Sequence, residues 1–89
     1  MPGYQVIFSD LANKKFEHFI RSDRKLGEQI AKAIDRIAAN PAIGEFLRGN
    51  EWKGLRKYRT GNYRIIYRIE HSKLLICLLT IDDRKSFYQ

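Results

Sequence analysis

The sequence predicts an α+β domain with the element order β-α-α-β-β-β, in which two helices cover one face of a four-stranded, mainly antiparallel sheet. Two consecutive stretches with helical apolar spacing lie in the first half of the chain. Three β-rich stretches, separated by turns of hairpin length, follow them. The length of 89 residues predicts one domain, spanning residues 1–89.

Each helix has a recognisable start and apolar face. A short strand at residues 4–8 precedes Ser9 and Asp10, which can cap a helix over residues 11–21. Ser22 and Asp23 separate it from a second helix, which ends at Asn40 because the residue before a proline avoids helical geometry. The apolar stripes consist of Ala12, Phe16, Phe19 and Ile20 in the first helix and Leu26, Ile30, Ala33, Ile34 and Ile37 in the second.

A loop is predicted at residues 42–51, with Phe46 and Leu47 anchoring it onto the core. Strands follow at residues 52–59, 63–70 and 74–81, joined by the Thr60-Gly61-Asn62 turn and a two-residue reversal at residues 71–72. The last strand is nearly all apolar, which is typical of a strand covered on both faces. The polar tail is expected to form a short turn or helix that folds back onto the sheet.

The third strand alternates cleanly between two kinds of side chain. Its odd-numbered positions are aromatic or aliphatic, and its even-numbered positions include Arg64 and Arg68. If the odd-numbered side chains meet the helices, both arginines lie on the opposite, open face of the sheet.

The composition favours an anionic partner. Seventeen Lys and Arg residues against ten Asp and Glu residues give a net charge of +7, which attracts nucleic acid, an anionic membrane surface or an acidic protein. The sequence shows no membrane-length apolar run and no signal-peptide pattern, and Cys77 alone allows no internal disulfide, so a reducing cytoplasm is the expected location. Zinc-type Cys/His spacing is missing, so neither a metal nor another cofactor is expected.

The most basic stretch of the chain is residues 53–68, KGLRKYRTGNYRIIYR, which holds six cations and three tyrosines but no acidic residue. Cations interleaved with aromatic rings suit RNA, because the cations meet phosphates and the rings stack on bases. The alternative is a solvated, arginine-rich hairpin that only keeps a small protein soluble.

The element order, together with three short motifs, resembles the RelE/ParE superfamily of toxins from bacterial and archaeal toxin–antitoxin modules. The motifs are Leu47-Arg48-Gly49 before the basic strand, GNYRIIYRI in the following strand, and Arg84 with Tyr88 near the C-terminus. The resemblance covers essentially the whole chain, and the RelE-like branch fits it best.

The resemblance implies two possible activities. RelE-like members cut mRNA in the ribosomal A site, whereas ParE-like members poison DNA gyrase without cutting RNA, and an antitoxin silences both. We therefore expect a metal-independent, ribosome-dependent endoribonuclease whose partners are an acidic antitoxin, mRNA in the A site and ribosomal RNA. A ParE-like gyrase inhibitor and a degenerate toxin that only binds its antitoxin remain the alternatives.

The resemblance also implies site residues. Lys57 corresponds to the base or a phosphate contact, Arg64 to the clamp on the transition state, Arg84 to the acid or a second clamp, and Tyr88 to the residue that orients the substrate base. Contacts with RNA or the ribosome are expected from Lys53, Arg56, Arg59 and Arg68. The chain departs from the family pattern at Asp82-Asp83, where many members are basic, and at Leu55, where some carry another lysine.

Overall fold

The computed structural model describes residues 4–83, with side chains described as far as Asp82. Two α-helices, α1 (Asp10–Ser22) and α2 (Arg24–Ala39), follow the first strand. The strands are β1 (Gln5–Phe8), β2 (Glu45–Phe46), β3 (Leu55–Thr60), β4 (Tyr63–Glu70) and β5 (Leu75–Asp83). The predicted turn or helix of the C-terminal tail lies outside the described residues.

Both helices begin where the sequence predicts. The Ser9 hydroxyl oxygen accepts from the Ala12 N–H at 3.0 Å and donates to the Leu79 carbonyl at 2.7 Å, so this cap also ties the start of α1 to β5. The Asp23 carboxylate accepts from the Leu26 N–H at 3.2 Å and caps α2. Such caps satisfy N–H groups that have no partner inside the helix.

The sheet has five strands in the order β1-β5-β4-β3-β2, so the predicted count of four was wrong. The additional strand, β2, lies in residues predicted as a loop and pairs with β3 through Glu45 opposite Lys57 and Phe46 opposite Arg56. Two residues are too few to show strand alternation, which is why the sequence pattern missed them. The sheet is mixed, because β1 runs parallel to β5 while the other three pairings are antiparallel.

The two helices pack on one face of this sheet, as predicted. Their buried residues form one core cluster with the helix-facing side chains of β4 and β5, namely Ala12, Ile30, Ala33, Ile34, Ile37, Ile65, Tyr67, Ile76, Leu78 and Ile81. Leu47 is buried, as expected of an anchor, but Phe46 is 62% exposed, and its predicted burial was wrong. In the part of the chain that the structure describes, no helix is long and apolar enough to cross a membrane.

The hydroxyl of Tyr67 lies at the centre of the link between this core and the β2 region. The side chain is fully buried. Its hydroxyl donates to the Pro41 carbonyl at 2.6 Å and accepts from the Gly44 N–H at 3.0 Å. A β-carbon on Gly44 would lie 2.5 Å from this hydroxyl oxygen and 2.7 Å from the Lys57 carbonyl oxygen. The close approach of chain to sheet therefore requires glycine at position 44.

Ile34→Ala tests the predicted packing of α2. Ile34 is 8% exposed within the core cluster, so the variant should lose about 2–5 kcal/mol of unfolding free energy, measured by urea denaturation. Leu11→Ala on α1 is the matched control, because Leu11 is 51% exposed. Equal losses for the two variants would show that this face of α2 is not buried.

The variant Tyr67→Phe tests whether the hydrogen bonds of the Tyr67 hydroxyl stabilise the fold. The variant keeps the ring but leaves the Gly44 N–H and the Pro41 carbonyl without their partner, so it should lose about 1–3 kcal/mol in the same assay. Tyr58→Phe is the control, because the half-buried Tyr58 hydroxyl makes no hydrogen bond with another of the described residues 4–82. If both variants are as stable as the parent, the Tyr67 hydrogen bonds do not stabilise the fold.

The same tyrosine predicts a loss of stability in alkali. Burial raises the pKa of the Tyr67 hydroxyl, against the smaller lowering effects of the Gly44 hydrogen bond and the Arg56 charge. Above its ordinary pKa of about 10, the unfolded chain loses this proton while the folded chain keeps it. The contribution of Tyr67 is therefore complete below about pH 10 and declines above it, so the difference in unfolding free energy between the parent and Tyr67→Phe should shrink as the pH rises above 10.

Candidate functional site

Four cations of β3 and β4 lie on the sheet face that points away from the helices. Because Tyr58, Ile65 and Tyr67 belong to the helix-facing side, the side chains that alternate with them point the other way. We call the surface formed by Lys57, Arg59, Arg64 and Arg68 the distal face. The strand register brings these residues together, since Arg59 pairs with Arg64 while Lys57 pairs with Ile66.

Arg64 lies on the predicted side of the sheet, but its side chain is not exposed as predicted. It is 4% exposed, and its Nε and Nη1 atoms are buried. Ile66 and Thr80 on the same side are buried as well, at 1% and 7% exposure, so the distal face is not open at its centre. The expectation of an open surface around Arg64 was therefore wrong, because a two-residue alternation gives the direction of a side chain and not what covers it.

Glu45 is a residue of this site that the sequence pattern did not reveal. It lies on β2 directly opposite Lys57 on β3, and directly opposed residues in an antiparallel pair have Cβ atoms only about 4.5–5.5 Å apart. Both residues line the same clefts at this edge of the sheet. The pair puts an exposed carboxylate beside the candidate catalytic lysine. The sequence could have revealed Glu45 only if β2 had been predicted within residues 42–51. A strand of two residues shows no alternation, so it could not be predicted.

Arg56 points to the helix-facing side, away from Lys57 and Arg59. Its Nη1 donates to the Gly44 carbonyl at 2.6 Å, and its guanidinium lies 3.9 Å from the centre of the Phe46 ring. These contacts hold β2 against β3. The expected contact of Arg56 with RNA stays a prediction, but the side chain already has partners within the fold.

The remaining predicted cations differ in their surroundings. Lys53 and Arg59 are exposed. Arg68 is also exposed, and its Nη2 lies 3.3 Å from a carboxylate oxygen of Glu70, a surface pair that holds the side chain only weakly. Arg84 and Tyr88, expected at the same site, lie outside the described residues.

Asp82, which departs from the basic family pattern, forms an ion pair with Lys15 of α1. Its second carboxylate oxygen accepts from the Thr80 hydroxyl at 3.3 Å. A carboxylate neutralised by a lysine repels phosphate less than a free one does. Asp82 therefore counts less against RNA binding than its sequence position suggests. Within residues 4–83, the His, Cys, Asp and Glu side chains form no group of three that could hold a metal ion.

A family model of the ParE toxin of type II toxin–antitoxin systems, parDE, matches residues 6–88. The chain belongs to the ParE toxin family. The match covers almost the entire sequence, so the resemblance to the RelE/ParE superfamily is confirmed and the protein is a toxin of a type II toxin–antitoxin system. No curated protein sequence matches the chain.

Solved structures share the fold of this toxin. A chain of the RelBE2 toxin–antitoxin complex from Mycobacterium tuberculosis is 26% identical, with a TM-score of 0.75 over 92% of this chain and 99% of that chain. The YoeB/ParE toxin from Agrobacterium tumefaciens is 21% identical, with a TM-score of 0.79 over 89% and 96%. The isolated RelE toxin of E. coli is 21% identical, with a TM-score of 0.74 over 96% and 90%. The RelE-like branch fits these neighbours.

Proposed function

We propose that the toxin is a metal-independent endoribonuclease of the RelE-like branch, which cuts mRNA in the ribosomal A site and so inhibits translation. The observation that carries this proposal is the Glu45–Lys57 pair at the edge of a face with three further cations. A proton acceptor beside concentrated positive charge is what RNA cleavage by the 2′-hydroxyl requires.

The chemistry of each side chain determines the role that we assign to it in the reaction. The 2′-oxygen attacks the adjacent phosphorus while a base takes its proton, and the 5′-oxygen leaves with a proton from an acid. Glu45 is a carboxylate and suits the base, so Lys57 beside it suits the phosphate contact. Arg64 stabilises the charge that builds on the phosphorane, and Arg84 with Tyr88 completes the set that the family resemblance implies.

Lys53, Arg59 and Arg68 hold the backbone of mRNA or ribosomal RNA in this proposal. All three are exposed, and residues 53–68 contain no acidic side chain that would repel phosphate. Arg56 acts indirectly, because its contacts with Gly44 and Phe46 fix β2. Contacts with phosphates supply affinity and orientation without reading sequence.

Inhibition of DNA gyrase is the second candidate, favoured by the family model, whose description names the ParE toxin. A gyrase inhibitor acts by binding a protein and needs no proton acceptor. In that case the Glu45–Lys57 pair serves only the pairing of β2 with β3, and we place the nuclease first because it also gives the pair a chemical role.

The partner that silences the toxin is proposed to be an acidic antitoxin with an amphipathic segment. The structural neighbours include toxin–antitoxin complexes, and the net charge of +7 favours an acidic partner. The antitoxin segment would lie across the basic stretch of residues 53–68.

The cleavage proposal predicts a loss of rate in two variants, measured as messenger cleavage on programmed ribosomes. Glu45→Gln should lose about 100- to 10,000-fold if Glu45 is the base. Arg64→Lys should lose about 100- to 1,000-fold, since it keeps the charge but not the forked geometry of the guanidinium. Glu28→Gln on α2 is the carboxylate control and should cut at the parental rate, because Glu28 lies on a helix away from the distal face.

Because Arg64 is buried, antitoxin binding and circular dichroism must first show that its variant is folded. Parental cleavage rates in folded Glu45→Gln and Arg64→Lys proteins would refute the assignment of these residues. A parent protein that blocks DNA supercoiling and never cuts RNA would instead establish the gyrase function.

The antitoxin proposal predicts a salt-dependent affinity. The dissociation constant should rise with ionic strength, since the Debye length falls from about 10 Å at 0.1 M to about 3 Å at 1 M. Arg59→Ala should flatten this dependence, whereas Arg21→Ala on α1 should leave it unchanged. Titration calorimetry at several salt concentrations measures both, and an affinity indifferent to salt would exclude an electrostatic contribution.

A further inference from the structure

A groove of about 250 Å³ lies between α2 and the turn that joins β3 to β4. It is on the helix-facing side of the sheet, because Thr60 alternates with Arg59 of the distal face along β3. The side chains that line it are all polar, namely Lys25, Glu28, Gln29, Lys32, Arg36 and Thr60. We call it the α2 groove.

A hydrogen bond between Gln29 and Thr60 joins the two walls of the α2 groove. The Nε2 of Gln29 donates to the Thr60 hydroxyl at 3.0 Å. The same amide lies close over the turn, since a β-carbon on Gly61 would be 2.5 Å from Gln29 Nε2. The helix and the hairpin are therefore in contact before any partner binds, and a preformed surface loses less conformational freedom on binding.

Three of the lining residues, Lys25, Lys32 and Arg36, are exposed cations. Their spacing, with Gln29 between the first two, places them along one side of α2. At 1.5 Å of rise per residue, the row extends over about 16 Å of the helix. No carboxylate of the described residues 4–82 lies within ion-pair distance of these three cations. Their charge is therefore available to a partner.

The Glu28 carboxylate reduces this positive charge only a little. Its Oε2 lies 3.6 Å from the Nε of Arg24, one turn earlier in α2, so a neighbouring cation balances it. Asp35, the other acidic residue of α2, does not line the groove. The α2 groove therefore keeps an excess of three positive charges, which favours an anionic partner.

The lining favours the backbone of paired RNA over other anionic partners. A protein segment needs apolar pockets for its anchoring side chains, and unpaired bases need aromatic faces on which to stack. The lining residues of the α2 groove offer neither. Phosphate contacts need only cations and polar groups that donate hydrogen bonds. A double helix carries about one charge per 1.7 Å of its axis, so a row of cations this long meets several phosphates.

We propose that the α2 groove binds the phosphate backbone of paired ribosomal RNA through Lys25, Lys32 and Arg36. This inference rests on the proposed ribosome-dependent nuclease function and deepens it. The groove and the distal face lie on opposite sides of the sheet, so the toxin is held between messenger on one side and folded RNA on the other. A free messenger lacks the second contact, which gives a physical reason for cleavage only on the ribosome.

The triple variant Lys25→Gln, Lys32→Gln, Arg36→Gln tests this surface. Its binding to a labelled RNA duplex of about 16 base pairs is followed by fluorescence anisotropy. Each phosphate contact contributes about 0.7–0.9 to the slope of log affinity against log salt concentration, so the slope should flatten by about 2 to 3. The affinity at 0.1 M salt should fall about 100- to 500-fold, because the three contributions vanish near 1 M. Affinity for a single strand of equal length should fall less.

The matched control replaces Lys14, Arg21 and Lys73 by glutamine. These residues are exposed and do not line the α2 groove. Each triple variant removes three positive charges, so the net charge falls from +7 to +4 in both. The control should stay close to the parental affinity, and thermal unfolding shows whether each protein is folded. Equal losses in the two folded variants, a greater loss with the single strand than with the duplex, or a parent that does not bind the duplex overturns the proposal.

Messenger cleavage on programmed ribosomes separates this proposal from the function beneath it. The groove variant should raise the half-saturating ribosome concentration more than it lowers the maximal rate. If the parent cuts and the groove variant saturates like the control, the RNA surface is wrong and the nuclease function stands. If duplex binding depends on the groove and no messenger is cut, the surface stands and the nuclease function fails. A variant that loses affinity for the acidic antitoxin but not for RNA would assign the groove to the antitoxin and overturn the proposal.

Discussion

The buried hydroxyl of Tyr67 is the interaction on which the arrangement of the site depends. It joins the Pro41 carbonyl and the Gly44 N–H to the middle of β4, so the chain after α2 must pass close to the sheet. The absence of a side chain at Gly44 permits that approach. Glu45 and Phe46 come directly after Gly44, so they lie alongside β3 and pair with it. A hydrogen bond in the core thus sets the position of an acidic residue and an aromatic ring at the surface.

Three carboxylates lie beside cations of the distal face, since Glu45 is opposite Lys57, Asp82 is opposite Arg64, and Glu70 contacts Arg68. Asp82 is paired with Lys15, and Glu70 with Arg68 at its margin. Glu45 differs from the other two because it is exposed on the edge strand of the sheet. Arg64 is buried at the centre of the face, and taking a guanidinium out of water requires that its surroundings compensate.

The sequence predicted the parts of the fold that repeat over many residues. The helices and their caps at Ser9 and Asp23 follow from patterns 13 and 16 residues long, and the alternation in β4 gave the correct face for each side chain. The sequence could not predict β2, because two residues show no period. It also placed Phe46 in the core, since an aromatic ring is usually buried and the pattern carried no sign of the Arg56 contact that holds it at the surface.

The same limit explains why the choice between nuclease and gyrase inhibitor was open from sequence. Both branches share the basic hairpin, and motif spacing places cations without showing what lies across from them. The register of β2 and β3 adds a relation that motif spacing does not give, an acid opposite Lys57. A surface that only recognises a protein needs shape and a few buried anchors, whereas RNA cleavage needs a proton acceptor and positive charge. In the proposed nuclease, the β2 edge supplies both through Glu45 and Lys57, so the proposal depends most on a strand of two residues.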